Sequence, residues 1–229
     1  MIPVAKNITL VKSININITN KDTISDKKYK RMLKKQIKCI TANIDKINKK
    51  AKLIYRIGTS KNRKEFINNF LLLEEKCKEY KIPVGAYWYS YATNVKGALT
   101  EANAFAKALA GKQFEYPVYY DIEESKIFLT GKQNVSNMLK KFCSHLESKK
   151  YFCGIYSSKS HLENYFTSEV LQKYDIWLAH YTSSTSYKGH KIWQYCENGR
   201  LSGKPGDCDL NWSYFDYPSL IKSRHFNGY

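Results

Sequence analysis

The sequence predicts an α/β fold, a single barrel domain with an incomplete outer ring of helices, on three observations. Eight short apolar or alternating segments recur along the chain. Helical patterns separate the earlier segments and nearly vanish between the last three. Several segments finish in carboxylates, amides and aromatic side chains. In a barrel of parallel strands the carboxyl ends carry the reactive groups, so this punctuation is what a barrel enzyme requires. At 229 residues the chain is long enough for one such domain, and no internal repeat or low-complexity linker divides it.

Residues 8–18 end in alternation, Ile14, Ile16 and Ile18 on one face and Asn15 and Asn17 on the other, which reads as a strand. Ser25 and Asp26 can cap the next element, in which Tyr29, Leu33, Ile37, Ile40, Ile44 and Ile47 recur at helical steps to about residue 50. Residues 52–57 (KLIYRI) are apolar and stop at Gly58, as a buried strand does, and 65–80 follows with helical spacing. The alternation then continues through a strand at 83–91, a small-residue helix at 98–110, a strand at 117–124 and an amphipathic helix at 135–149. Strands at 151–158, 175–181, 190–196 and 207–214 complete the eight, with one short helix near 162–166. The Asn-, Lys- and Ile-rich first 50 residues admit a second reading, a basic arm outside the fold.

With 38 Lys and Arg against 20 Asp and Glu, the formal charge is +18, so a polyanion is the expected partner. Nucleic acid, an anionic membrane and the acidic polymers of bacterial walls all qualify. No zinc-finger spacing or ribonucleoprotein motif is present, so a specific nucleic-acid reader is disfavoured. The first residues lack the basic region and apolar run of a secretory signal, and no later stretch approaches a membrane span, so neither insertion nor a visible export signal is expected. The 19 Tyr and 4 Trp suit sugar-binding surfaces and core packing alike. Cys39, Cys77, Cys143, Cys153, Cys196 and Cys208 form no C-x-x-C pair and have no His at ligand spacing; reduced, mostly buried thiols are expected, with no metal or cofactor. Cys196 and Cys208 come close only if their segments are neighbouring strands.

The chemistry is carried by PVYYDIEE. Asp121 and Glu123 are two residues apart, so on a strand both face one side with Cα atoms about 6–7 Å apart. Two acids held together do not ionise equally, and the one that keeps its proton can protonate a leaving oxygen. Glycosidases work in this way, with negative charge left over to stabilise an oxocarbenium-like transition state. Charged residues also finish strands merely as solvated ends, so the other strand ends decide. Tyr87, Trp88 and Tyr89 finish one, Tyr156 the next, then His180 with Tyr181, Trp193 with Gln194 and Tyr195, and Asp209 with Asn211. Aromatic walls over a few carboxylates and amides fit a carbohydrate cleft better than a phosphate site, which would want Gly-rich turns before helices.

The runs IPVGAYWYSYA (82–92), YPVYYDIEE (116–124), GIYSSK (154–159), YDIWLAHY (174–181), IWQY (192–195), GDCDLN (206–211) and DYPSLIK (216–222) resemble the glycoside hydrolase family 25 muramidases, the Chalaropsis-type lysozymes of bacteria and their phages. The resemblance extends from about residue 52 to the end. It implies a flattened TIM-like barrel of the (β/α)5(β)3 type spanning 1–229. It also implies cleavage of the β-1,4 bond between N-acetylmuramic acid and N-acetylglucosamine in peptidoglycan, at the bacterial cell wall; carboxylate chemistry needs no cofactor, and a monomer is expected. Carried over by motif, Glu123 is the general acid/base, Asp121 its partner and Asp209 the acid of the eighth strand. Tyr87, Tyr89, Tyr156, Tyr181, Trp193 and Gln194 would line the groove. Strand alternation lets only about half of each run face the cleft, and Trp177 and Tyr119 are the residues expected to turn into the barrel core or the helix layer.

The amino end departs from the family pattern. Members begin with a strand of the type I-D-V-S whose Asp joins the acidic cluster, and here Ile14-Asn15-Ile16-Asn17 is the best match. Asn15 keeps the shape but supplies no charge. Arg63 falls where the family has an Asp. Two alternatives to a working hydrolase follow: a peptidoglycan-binding protein with little or no turnover, and a basic nucleic-acid-binding protein.

Overall fold

Alternation with period two sorts the strand residues into two layers, and this sorting positions the site. The computed structural model describes residues 9–13, 53–58, 77–78, 82–199 and 208–229. Within them lie strands β1 (Thr9–Ser13), β2 (Leu53–Gly58), β3 (Val84–Tyr89), β4 (Val118–Asp121), β5 (Cys153–Ser158), β6 (Asp175–Ala179), β7 (His190–Gly199) and β8 (Cys208–Ser213). They form one sheet in the order β1-β8-β7-β6-β5-β4-β3-β2, curled so that its end strands β1 and β2 approach each other.

Strands β2 to β7 run parallel, whereas β8 is antiparallel to both β7 and β1. This corrects the expectation of an all-parallel sheet. A parallel neighbour needs a crossover of a dozen or more residues, and only residues 200–207 join β7 to β8. The first strand covers 9–13 of the expected 8–18. Asn15, the helix expected to about residue 50, Arg63, Cys39 and all of the 65–80 helix except helical Cys77 and Lys78 lie outside the described residues.

One face of the strands, including Ala86, Trp88, Val118, Tyr120, Ile155, Ile176 and Leu178, packs beneath helices α1 (Val95–Leu109) and α3 (Lys132–Glu147). Small residues on α1 (Ala98, Ala102) let it lie close to α3, with Phe105 and Phe142 rings 6.0 Å apart. Each fully buried aromatic or aliphatic side chain of this layer stabilises the fold by about 1.5–3 kcal/mol. Asn94 caps α1 by accepting from Gly97 N at 2.9 Å. Three short helices, α2 (Ser125–Phe128), α4 (Lys159–Tyr165) and α5 (Ser168–Lys173), follow strand ends.

The opposite face holds a second cluster inside the curl: Tyr87, Tyr119, Tyr156, Trp177, Ala179 and Ile192. Gly154 makes room for it, since a Cβ there would meet Asp175 O at 2.5 Å and Tyr119 Cε1 at 2.7 Å. The amino ends of the strands are covered by α6 (Tyr217–Ser223), whose Tyr217 and Ile221 join this cluster, and by the tail after it. Fully buried Asn227 ties that tail down: its Oδ1 accepts from Phe152 N at 2.7 Å and its Nδ2 donates to Tyr116 O at 2.9 Å.

Cys143, Cys153 and Cys196 are reduced thiols, with Cys143 and Cys153 buried and their sulfurs 2.9 Å apart. Register sets Cys196 opposite Leu210 and Cys208 opposite Gly199, so adjacent strands do not bring that pair face to face. Among the described residues no helix is long and apolar enough to cross a membrane.

Candidate active site

Register aligns Tyr89, Asp121 and Tyr156 across the carboxyl ends of β3, β4 and β5. Asp121 is the last residue of β4 and only 2% exposed. Glu123 lies beyond the strand, half-buried in the short segment before α2, although Ile122 N still bonds Tyr156 O at 3.1 Å. Period-two alternation alone predicts both acids on the strand. The strand ends at Asp121, two residues before Glu123, which frees Glu123 from strict alternation.

Asp209 and Asn211 come from β8, where Asp209 stands at the start and Asn211 in the middle rather than at the finish. Because β8 is antiparallel, its first residues lie beside the carboxyl end of β7, with Cys208 opposite Gly199 and Asn211 opposite Gln194. The reversed direction thus brings buried Asp209 to the same face as Asp121. Below it, Asn211 Oδ1 accepts from Trp177 Nε1 at 2.7 Å.

Three phenols feel these acids. Tyr156 Oη donates to Gln194 Oε1 at 2.6 Å, and Tyr156 is also hydrogen-bonded to Tyr181. Burial, followed by the Glu123 charge, holds the Tyr156 phenol well above its ordinary range, with Asp121 adding to the effect. Burial pushes Tyr181 up to about 12; its bond with Tyr156 opposes this, and the charges of Glu123, Glu197 and Asp209 reinforce it. Tyr89 is raised by burial first, then by its 2.8 Å bond to Glu124 Oε1 and by Glu124, Asp121 and Glu123 charges. Glu123 and Asp209 both act to raise Tyr181, and Asp121 and Glu123 both act to raise Tyr89 and Tyr156. At neutral pH the three phenols keep their protons and stand as hydroxyl donors among carboxylates.

The expected groove residues divide. Tyr89 and Tyr181 lie at the rim, Tyr181 being 45% exposed. Tyr156 and Gln194 are buried just beneath them, and Tyr87 is deeper, edge-on to Trp177 with centroids 5.8 Å apart. Trp193 is not brought to this face. It neighbours inward-facing Gln194 on β7, so alternation turns it into the helix-side layer, where its Nε1 donates to His180 O at 2.8 Å. Trp177 and Tyr119 turn inward, into the core of the curl. Asn15 is outside the described residues. Glu124 and exposed Tyr91, which packs on Tyr89 at 5.0 Å, were not singled out by the sequence reading, although both stand one or two places from residues that were. Among the described residues no group of three or more His, Cys, Asp or Glu is arranged to hold a metal ion.

Carboxylates gathered above an aromatic interior, with neutral phenols between them, make a site of the glycosidase class. The chain belongs to the glycosyl hydrolases family 25, whose model matches residues 64–204, well over half of it. A second model, Toxin ToxN of a type III toxin-antitoxin system, matches residues 1–78. The chain has no match among the curated proteins. Among solved structures it is similar to the modular autolysin LytC from Streptococcus pneumoniae (20% identity, TM-score 0.67), covering 90% of this chain and 46% of that one. It is also similar to the catalytic domain of endolysin ply40 from bacteriophage P40 of Listeria monocytogenes (19%, TM-score 0.64), covering 95% of this chain and 98% of that one. A third similar structure is the bacterial lysozyme from Streptomyces coelicolor (21%, TM-score 0.59), with 75% and 83% covered. This chain thus spans about half the length of LytC and nearly all of the ply40 domain. At these identities the likeness establishes the fold.

Proposed function

We propose that this chain hydrolyses bacterial peptidoglycan as a muramidase, cutting the β-1,4 bond between N-acetylmuramic acid and N-acetylglucosamine, with Glu123 as proton donor. The observation that supports the reading is the strand register that aligns Asp121 with Tyr89 and Tyr156 and sets the start of antiparallel β8, with buried Asp209, beside the carboxyl end of β7, in a member of glycosyl hydrolases family 25. LytC has been described with a synthetic peptidoglycan ligand, and the Cpl-1 endolysin with a peptidoglycan analogue, which supports the same substrate class here. The +18 charge favours encounter with acidic wall polymers.

In this mechanism Glu123 protonates the glycosidic oxygen as the bond to the leaving sugar breaks, and then takes a proton from the incoming water. Asp121 orients the substrate's acetamido group as internal nucleophile, and Asp209 adds negative charge opposite the developing oxocarbenium. Tyr89, Tyr156, Tyr181 and Gln194 position the sugar through rim contacts and hydroxyl donors. Residues 1–229 act as one monomeric catalytic domain at the cell wall, its sheet closed as a flattened (β/α)5(β)3 barrel. The pairing of β1 with β8 and of β2 with β3 supports including the amino end in that domain, despite its match to a toxin model.

Digested walls reduced with borohydride test the bond. N-acetylmuramitol at the new ends is the expected product; N-acetylglucosaminitol would mean the other linkage is cut. Asn15, in place of an expected Asp, favours a second reading in which the site binds glycan but turns over weakly. Wall binding without new reducing ends would select it.

A further inference from the structure

The helix α1 buries an acid on its apolar face. Glu101 sits between Ala98, Ala102 and Phe105, all fully buried, and is itself 8% exposed. A carboxylate in such a place is unfavourable by several kcal/mol unless its oxygens are hydrogen-bonded. Glu101 has four donors: Oε2 accepts from Ser90 Oγ and Tyr120 Oη, both at 2.8 Å, and Oε1 accepts from Tyr91 N at 2.9 Å and Ala92 N at 3.1 Å. Ser90 Oγ and Tyr120 Oη are also 2.8 Å apart.

These donors come from two places that flank the site. Ser90, Tyr91 and Ala92 directly follow Tyr89 as the chain leaves β3. Tyr120 directly precedes Asp121, and Ser90 N donates to Asp121 O at 2.9 Å. Tyr120 is fixed on its other side by stacking on Phe142, with centroids 3.7 Å apart. One carboxylate on a helix therefore joins the exit of β3 to the end of β4 from behind, without touching the carbohydrate face.

We propose that Glu101 is a positioning residue of the active site: its carboxylate fixes the Ser90–Ala92 turn and the Tyr120 hydroxyl, and thereby sets Tyr89 against Asp121 and Glu123. The catalytic consequence rests on the glycosidase reading above, whereas the structural part does not. A misplacement of about 1 Å at a reacting group is enough for a rate loss of about 10²-fold, so a strut of this kind acts on turnover more than on binding.

The test uses Glu101→Gln in the full chain, which preserves volume. The amide accepts more weakly from Tyr91 N and Ala92 N and presents donors to two hydroxyls that now donate. Amide hydrogen exchange at Tyr91 and Ala92, normalised to the thermal stability of each variant, should rise about 10-fold or more. On purified walls kcat should fall about 10–100-fold with KM within about twofold. The double variant with Tyr89→Phe should lose less in kcat than the product of the two single losses, because both act through one side chain. A well-folded Glu101→Gln with wild-type exchange at Tyr91 and Ala92, or losses in kcat that multiply independently, overturns the proposal. Faster exchange in a protein whose wild type shows no wall turnover supports the strut while removing the glycosidase reading.

Discussion

Tyr156 Oη donates to Gln194 Oε1 at 2.6 Å and so joins β5 to β7 across the intervening β6, inside the curl of the sheet. The bond is buried at both ends, and deleting the hydroxyl leaves the Gln194 acceptor without its donor. Tyr156→Phe should therefore lower stability by about 1–3 kcal/mol, the range for an orphaned buried acceptor. At about 2–4 °C per kcal/mol for a chain of this size, thermal unfolding resolves the change. An unaltered Tm would mean that the bond is matched by water in the folded state.

Trp193 and Tyr181 offer a paired test of which residues face the sugar. Trp193 packs in the helix-side layer and bonds a backbone carbonyl, while Tyr181 stands at the rim near Glu123 and Asp209. Trp193→Phe should lower Tm and leave KM for walls within about twofold. Tyr181→Ala should raise KM with little change in Tm. The opposite pattern would place Trp193 in the groove.

The buried phenols set the alkaline limit. Burial holds Tyr119, Tyr120, Tyr156 and Tyr217 well above their ordinary value of 10.0, and Tyr181 at about 12. Once pH exceeds about 10 the unfolded chain releases protons that the folded chain keeps, so stability is fully present below that pH and declines as pH rises above it. Tm should be level to about pH 9.5 and then fall, with tyrosinate absorbance and loss of near-ultraviolet dichroism appearing together. Titration of every tyrosine near pH 10 with the fold intact would contradict this.

Much of the site was legible because strand alternation is a local property. It set Tyr87 and Tyr89 on one face and expected Trp177 and Tyr119 to turn into the barrel core or the helix layer, of which the structure shows the first. The direction of β8 was not legible, since alternation reads the same from either end of a strand; the short connection before it was the available signal. That the strand stops before Glu123 depends on pairing with β5, a long-range fact. The short helices α2 and α5 are too brief to show a period. Glu101 reads in sequence as an ordinary polar break in a helix, and only the packing of α1 reveals its four donors.

Thiol reactivity follows burial. Cys143 is fully buried, and burial together with the neighbouring Cys153 thiol pushes it well above its ordinary range, whereas Cys196 is half-buried with its sulfur 3.2 Å from Asn198 Oδ1. An alkylating reagent at pH 8 should modify Cys196 in the folded protein and reach Cys143 and Cys153 only in denaturant. Peptide mapping by mass spectrometry reads this directly, and equal labelling of Cys143 under native conditions would show that the helix layer opens.

The central claim is that Glu123 donates the proton. Glu123→Gln keeps the volume and hydrogen-bonding shape of a half-buried side chain and removes its acidity. The decisive measurement is the initial rate of reducing-end release from purified walls by wild type and Glu123→Gln, at equal folded concentration and with wall binding measured in parallel. The expected result is a loss of at least the ~10²–10⁴-fold characteristic of general acid catalysis, with wall binding and Tm nearly unchanged. A Glu123→Gln protein that releases reducing ends at the wild-type rate would contradict the assignment and the mechanism built on it.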